Sequence, residues 1–156
     1  MLKIQNESQP TLSKSMRPTQ TPPSKKLIFF SSLFSKINAD FLLLNRIIYK
    51  TSNIFRRQRH FQQIKLAKKL IKKLLFDFRG KKDDKSFILE LVSDENFEGD
   101  VRKIMELLVV VGGKTQEMMK IKLYLNYCVV IYGIVSRLYA IFEYLVDNKK
   151  NIIENI

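Results

Sequence analysis

Residues 54–78 of the chain read IFRRQRHFQQIKLAKKLIKKLLFDF, and this segment decides the fold. At about 100° of rotation per residue it predicts one amphipathic helix, with Ser52 or Asn53 as its N-cap and Gly80 as its stop. Six cations share an arc of about 160° on this helix, namely Arg57, Lys65, Lys68, Lys69, Lys72 and Lys73. The apolar side chains opposite them are Ile64, Leu66, Ala67, Leu70, Ile71, Leu74 and Phe78. Such an apolar face has to be buried against other elements, so a domain of several helices is expected.

The rest of the chain extends this prediction because proline, which breaks helices, is confined to its beginning. All four prolines lie before residue 24, and the 133 residues that follow contain none. Apolar residues at helical spacing predict three more helices, at about 30–50, 97–111 and 115–148, the second of these closed by Gly112-Gly113. We therefore expect an all-α fold, an antiparallel bundle of four helices over residues 28–148 with a loop at 80–96. A disordered basic N-terminal arm (1–27) and a C-terminal tail (149–156) are expected to flank it.

The last predicted helix is apolar enough to raise the question of a membrane. Residues 123–136 hold no charge, and five more uncharged residues follow Arg137. A spanning helix needs about 20 apolar residues, and shorter apolar runs are more often core helices. Lys122 and Arg137 interrupt the run, and a charge at mid-membrane costs about 3 kcal/mol. A helix at the centre of a bundle is the favoured interpretation, and insertion of Leu123–Val146 into a membrane is the alternative.

Charge is the strongest indication of function. The chain carries 28 Lys+Arg against 15 Asp+Glu, a net charge of +13, and residues 1–80 hold 17 of the bases and only 3 of the acids. Like charges one turn apart repel each other, so a lysine face without interspersed glutamate needs an anionic partner. Phosphate fits this need, which points to nucleic acid or an anionic membrane. Phe61 and Phe76 fall on the cationic arc, where they could stack on unpaired bases, although contact with a neighbouring helix is favoured for Phe76.

Residues that could carry catalysis are few, and their pattern argues against an enzyme. With one cysteine and one histidine, His60, the chain alone cannot build a zinc site of Cys and His ligands. No acidic residue lies between Asp40 and Asp77 to orient His60 as a general base, so the core is its expected place. Gly112-Gly113-Lys114-Thr115 resembles the end of a phosphate loop, but Leu108 stands where that motif needs its first glycine. We expect no catalytic residue, no metal site and no cofactor.

Residues 47–63, IIYKTSNIFRRQRHFQQ, resemble the signature of a known family. This family comprises the RNase MRP accessory protein of fungi and its animal relative, the nucleolus and neural progenitor protein (Nepro). Its signature is a hydrophobic helix ending in Leu-Tyr-Lys, then Asn-x-Asn-Gln-His-Arg, an aromatic residue and a basic helix. The matching positions are Tyr49, Lys50, Asn53, Arg56, Arg57 and Phe61, whereas Ile54 and Phe55 replace the Gln-His pair. A second similarity spans Tyr132–Tyr144 in the last predicted helix and includes VSRLY at residues 135–139; together the two regions cover about a fifth of the chain.

The resemblance implies a non-catalytic protein subunit of a nucleolar ribonucleoprotein whose RNA cleaves precursor ribosomal RNA. Its partners would be a structured RNA of the RNase MRP type and other protein subunits, without a membrane. The turn Lys50–Arg57 and the start of the second helix would touch this RNA. With the lysine face added, the predicted RNA-binding residues are Lys50, Asn53, Arg56, Arg57, Arg59, Phe61, Lys65, Lys68, Lys69, Lys72 and Lys73.

The sequence leaves open which group pairs with Arg137 and in which compartment the protein acts. Arg137 lies inside an apolar helix and would need a partner there, for which Glu143, Asp40 and a phosphate are the candidates. The same basic face would also serve a mitochondrial ribosomal protein or another organellar ribonucleoprotein component, which is the alternative to a nucleolar subunit.

Overall fold

The computed structural model describes residues 25–76 and 93–155. Its helices are α1 (Lys25–Phe55), α2 (Arg59–Phe76), α3 (Phe97–Lys120), α4 (Leu125–Asp147) and the short α5 (Lys149–Asn155). No strand occurs within these two stretches. The all-α prediction with four long helices is therefore confirmed.

The four long helices form a closed ring in which each one packs against its two neighbours. The most extensive packing joins α3 to α4 and α2 to α3, and α1 closes the ring by contacting α2 and α4. Short turns at residues 56–58 and 121–124 join α1 to α2 and α3 to α4, which makes each pair antiparallel. Lys73 near the end of α2 pairs with Asp100 at the start of α3, so these two helices are antiparallel as well. On the closing side of the ring, Arg137 of α4 pairs with Asp40 of α1.

The centre of the ring is filled by the apolar positions that recur every three or four residues. On α1 these are Ile37, Phe41, Leu44 and Ile48, all of them buried as their spacing predicted. The largest fully buried side chains include Phe55, Phe61, Phe97 and Phe142, which come from all four helices. Burial of these aromatic rings holds the helices together, because each buried ring removes a large apolar area from water.

The junction between α1 and α2 lies later in the chain than the sequence suggested. Thr51 Oγ1 donates to the carbonyl of Ile47 at 2.8 Å and Ser52 Oγ to that of Tyr49 at 3.0 Å, so both hydroxyls bond back to their own helix. The helix therefore continues to Phe55, and the chain turns only at residues 56–58. The carbonyl of Gln58 accepts the first amide bonds of α2. The predicted N-cap at Ser52 or Asn53 was wrong.

The junction between α3 and α4 also differs from the prediction, because Gly112-Gly113 does not end α3. Gly112 is buried against α4, where an added Cβ would lie 3.6 Å from Val135 Cγ1, and neither glycine has a positive φ. The turn comes at residues 121–124, where Lys122 (φ 56°) and Tyr124 (φ 50°) adopt the left-handed conformation. Packing against Val135 keeps the glycine pair helical, so a local stop signal was overridden by a tertiary contact.

The ends of the bundle differ slightly from the predicted boundaries. Residues 25–27, which were expected in the N-terminal arm, are the first residues of α1, and most of the expected C-terminal tail forms α5. The remainder of the arm (1–24), the greater part of the expected 80–96 loop and the predicted end of helix two at Phe78 lie outside the described residues.

The helix α4 has the length and composition of a membrane span and is also a core helix. Its hydropathy over 23 residues is that of a spanning segment, and about a third of its most apolar stretch is buried in the bundle. The buried residues of the whole helix form one continuous face, which comprises Cys128, Ile131, Ile134, Val135, Leu138, Ile141, Phe142 and Leu145. Burial also raises the pKa of the Cys128 thiol, which therefore stays protonated in this apolar setting. The outward face still exposes Val129, Val130 and Tyr132.

Candidate nucleic-acid interface

Charge is divided between the two halves of the bundle. Residues 25–76, which form α1 and α2, hold 13 bases and one acid, a net charge of +12. Residues 97–147, which form α3 and α4, hold six bases and six acids and are neutral. The single acid of the first half, Asp40, is buried in contact with Arg137 of α4. The exposed surface of α1 and α2 therefore presents positive charge with no carboxylate of its own.

The cations of α2 lie on its outer face, as the helical rotation predicted. Lys65, Lys69, Lys72 and Lys73 are exposed, and Lys68 is half-buried at the edge that faces α1. The buried side of α2 consists of His60, Phe61, Ile64, Ala67, Ile71, Leu74 and Leu75. Leu66, which was expected on the apolar side, is exposed, because the buried face is centred nearer to Ile64 and Ile71.

Two of the lysines make weak contacts that an anionic ligand could exchange. Lys68 Nζ donates to Asn45 Oδ1 of α1 at 3.0 Å. Lys73 Nζ lies 3.7 Å from Asp100 Oδ2 of α3, and its side chain remains mostly exposed. Exposed pairs of this kind contribute about 0–1 kcal/mol. Neither contact removes the positive potential of the α2 surface.

The α1–α2 turn adds three arginines to this surface and is held from beneath by aromatic packing. Arg56, Arg57 and Arg59 are exposed around the turn. Phe55, directly before them, is buried with its ring stacked on Tyr127 at 4.3 Å between centroids. The Gln62 side chain donates to the backbone carbonyl of Arg56 from the first turn of α2. These contacts hold the backbone of the turn that carries the arginines. Phe55, one of the two departures from the family signature, is a core residue.

Phe61 is the one predicted RNA-binding residue that the structure removes from the surface. Its side chain is 1% exposed, and its ring lies 6.2 Å from that of Phe55. Because the chain turns sharply before Arg59, Phe61 falls in the first turn of α2, under the end of α1. Stacking of Phe61 on a base would require opening the core, so that prediction is corrected. The side chain of Phe76 lies outside what the structure describes.

His60 lies in the core, as its apolar surroundings predicted. Its Nε2 atom and the hydroxyl of Tyr127 are both buried and have no hydrogen-bond partner among the described residues. Burial lowers the pKa of His60 below its ordinary value, and the Lys114 ammonium lowers it further, whereas burial raises the pKa of Tyr127. Both side chains are therefore neutral near pH 7, and within residues 25–76 and 93–155 neither the Nε2 atom of His60 nor the Tyr127 hydroxyl has an oriented partner of the kind that general acid–base catalysis uses.

The partner of Arg137 is Asp40, one of the three candidates. The guanidinium donates to both carboxylate oxygens, with Nε 3.0 Å from Oδ2. The Asp40 side chain is 7% exposed and that of Arg137 is 61% exposed, so the pair reaches from the core to the surface. This bidentate contact joins the middle of α1 to the middle of α4.

Two grooves flank the outward face of α4. One, of about 640 Å³, lies between α1 and α4 and is lined by Phe29, Leu33, Lys36, Leu43, Ile141 and Tyr144 among others. The second, of about 370 Å³, lies between α3 and α4 above Gly112 and Gly113. Both are mainly apolar. Within residues 25–76 and 93–155, no three His, Cys, Asp or Glu residues come close enough to hold a metal ion.

Tyr49, which matches the family signature but is not among the predicted RNA-binding residues, is the most exposed of the large hydrophobic and aromatic side chains in the described part of the chain, at 83%. It lies beside the cations of α1, at a position outside the apolar stripe that ends at Ile48. The helical spacing of that stripe was the signal that could have identified it.

The predicted site residues other than Phe61 lie on α1, on α2 and in the turn between them, from the edge of α2 that faces α1 to the edge that faces α3. All of them are exposed or half-buried, namely Lys50, Asn53, Arg56, Arg57, Arg59, Lys65, Lys68, Lys69, Lys72 and Lys73. No protein-family model matches the chain, and comparison with curated proteins and with solved structures also finds no match.

Proposed function

We propose that this protein is a non-catalytic RNA-binding subunit of a ribonucleoprotein, which docks on RNA through the outer surface of α1 and α2. One observation carries the proposal: residues 25–76, which form α1 and α2, have a net charge of +12, and their single carboxylate is buried in a pair with Arg137. Like charges at this density repel each other unless a polyanion neutralises them. RNA phosphates are such a polyanion, and the counterions that they release on binding make the affinity depend on salt.

The size of the salt effect follows from the number of phosphate contacts. Six cations proposed to contact phosphates are exposed in the structure, namely Arg56, Arg57, Lys65, Lys69, Lys72 and Lys73. On single-stranded RNA each contact contributes a slope of about −0.7 to the plot of log K against log salt concentration, so six contacts give about −4.

The finer assignment is also a proposal, and it rests on the resemblance at residues 47–63 and 132–144. It names the particle as a nucleolar ribonucleoprotein of the RNase MRP type that processes precursor ribosomal RNA. The apolar grooves beside α4 supply surfaces for the neighbouring protein subunits of such a particle. An organellar ribonucleoprotein would use the same basic surface, and imaging of the tagged protein distinguishes nucleolus from mitochondrion.

A second candidate, a membrane protein, is favoured by one observation, the length and hydropathy of α4. Alkaline carbonate extraction separates the two. A ribonucleoprotein subunit is released into the supernatant, whereas a protein with an inserted helix stays in the pellet.

A matched pair of triple variants tests the docking surface. Lys65, Lys69 and Lys72 are changed to Gln in one variant, and the exposed Lys103, Lys120 and Lys150 in the other, so that both lose three charges. Binding of the full chain to a labelled RNA is measured over a range of salt concentrations. We expect the first variant to bind weakly with a slope smaller by about 2, and the second to keep the wild-type slope. Equal losses in both variants, or a wild-type affinity indifferent to salt, would overturn the proposal.

A further inference from the structure

We infer that Tyr49 is a stacking platform for an unpaired base, so that the RNA bound by the α1–α2 surface is single-stranded or looped at this point. This inference deepens the proposed function and rests on it. The ring of a tyrosine is normally worth burying, because it removes a large apolar area from water. Here 83% of the side chain is exposed, although its neighbour Ile48 is buried.

The position of Tyr49 on α1 places it beside the cations of both helices. Asn45, one turn before it, accepts the hydrogen bond from Lys68 of α2. Residues four apart share one face of a helix, so Tyr49 lies on the α2 side of the exposed surface. Arg46 and Asn53, one turn before and one turn after Tyr49, are exposed on that surface too. The aromatic ring is thus surrounded by groups that bind phosphates and base edges.

The backbone beneath the ring is well fixed. Tyr49 lies in the last two turns of a 31-residue helix, seven residues after Leu42 and six before Phe55. Its carbonyl accepts a hydrogen bond from the hydroxyl of Ser52 at 3.0 Å. A ring held on a rigid helix loses little conformational freedom when a base stacks on it, because only two side-chain torsions have to be ordered.

The chemistry of the ring selects the class of RNA. Bases inside an A-form duplex are stacked on one another, whereas bases in loops and single strands leave their faces free for aromatic side chains. Phosphate contacts alone do not distinguish these two forms of RNA. Tyr49 would supply the distinction, and the lysines of α2 would supply most of the affinity.

The experiment compares two RNA probes and four variants of the full-length protein. The probes are a labelled 12-nucleotide RNA of mixed sequence and the 12-base-pair duplex of the same strand, with binding followed by fluorescence anisotropy. Y49F keeps the aromatic face, Y49L keeps an apolar side chain without it, and Y49A removes both. The control L42A removes another exposed apolar side chain from the same face, two turns earlier. Circular dichroism confirms that each variant keeps the wild-type helical content.

Stacking on one base corresponds to a loss of about 5- to 150-fold when the aromatic side chain is removed. We expect losses in this range for Y49A and Y49L on the single strand, wild-type affinity for Y49F and L42A, and unchanged duplex binding by all four. Single-strand affinity that survives in Y49A or Y49L overturns the stacking role, and so does an equal loss on the duplex. Neither result affects the salt-dependent affinity of the wild type, so the proposed function would stand in both cases. A wild-type protein that binds neither probe overturns both.

Discussion

Changing Arg137 to methionine would leave the buried Asp40 carboxylate without its partner. The resulting loss of stability measures how much this ion pair contributes to the packing of α1 against α4. The methionine keeps most of the side-chain stem but removes the two hydrogen bonds to Asp40. The two ends of the pair have different surroundings, because the Asp40 side chain is 7% exposed and that of Arg137 is 61% exposed. Loss of the arginine therefore costs more than loss of the aspartate, since a free Arg137 can turn into water whereas Asp40 cannot.

The magnitude lies between two limits. Breaking a fully buried ion pair costs about 3–5 kcal/mol, and an exposed pair is worth about 0–1 kcal/mol. For a pair buried at one end only, we expect R137M to lower the free energy of unfolding by about 2 kcal/mol. D40L should cost less than about 1 kcal/mol, because the groove between α1 and α4 borders Asp40 and leaves space for the new side chain. The double variant D40L/R137M should lie within about 1 kcal/mol of the wild type, since an ion pair replaced by apolar groups is often neutral.

Urea and thermal unfolding followed by far-UV circular dichroism suit a protein of this helical content. The 2 kcal/mol expected for R137M corresponds to a melting temperature lower by about 4–8 °C in a chain of this length. If D40L lowers the free energy of unfolding as much as R137M, or if the double variant shows the sum of the two single losses, the buried carboxylate is not the cause of the R137M loss.

Three further predictions concern the core and the junctions. Phe61→Ala should lower the free energy of unfolding by about 3–5 kcal/mol because the ring is fully buried, whereas Y49A should leave it nearly unchanged; equilibrium denaturation in urea gives both values. Gly113→Ala should raise stability by about 0.5–1 kcal/mol, because the glycine is helical and a Cβ would meet nothing within 4 Å. His60→Gln should reduce the loss of stability between pH 7.5 and pH 5.5. The lowered pKa of His60 means that the unfolded chain takes up the proton first as the pH falls below about 6.5, so the wild type is destabilised in that range.

Each of these predictions has a result that contradicts it. A Phe61→Ala protein of wild-type stability but weakened RNA binding would return Phe61 to the interface. A destabilised Gly113→Ala protein would show that α3 ends at the glycines after all. Identical pH profiles for His60→Gln and the wild type between pH 7.5 and 5.5 would mean that the pKa of His60 is the same in the folded and unfolded chains.

The spacing of apolar residues predicted the helices well, and local stop and start signals predicted their ends poorly. Periodicity reports which side of a helix is buried, and Ile37, Phe41 and Leu44 occupy that side as expected. The start signal at Ser52 and the stop signal at Gly112 failed because both residue types can also lie inside a helix. A hydroxyl can bond to the carbonyl of its own helix, and a glycine can let a neighbouring helix approach, as Gly112 does for Val135.

The candidate interface was predictable where it depends on the spacing of residues along a single helix, and not where it depends on the ends of the helices. The lysine face of α2 depends only on rotation within one helix, so it could be derived without knowing how the helices pack. The burial of Phe61 depends on where α1 ends and α2 begins, and only the tertiary arrangement could show this. The exposure of Tyr49 agrees with its position outside the apolar stripe of α1, which the helical spacing already indicated.

The separation of charge between the two halves of the bundle makes ionic strength act in opposite directions on folding and on binding. Repulsion within the +12 half is screened over about 8 Å at physiological salt, so added salt relieves it and favours the compact free protein. In the proposed RNA complex, the same salt would weaken the hold on phosphates. RNA would then act as a structural counterion as well as a ligand, and we expect the complex to melt at a higher temperature than the free chain by the largest margin where salt is lowest.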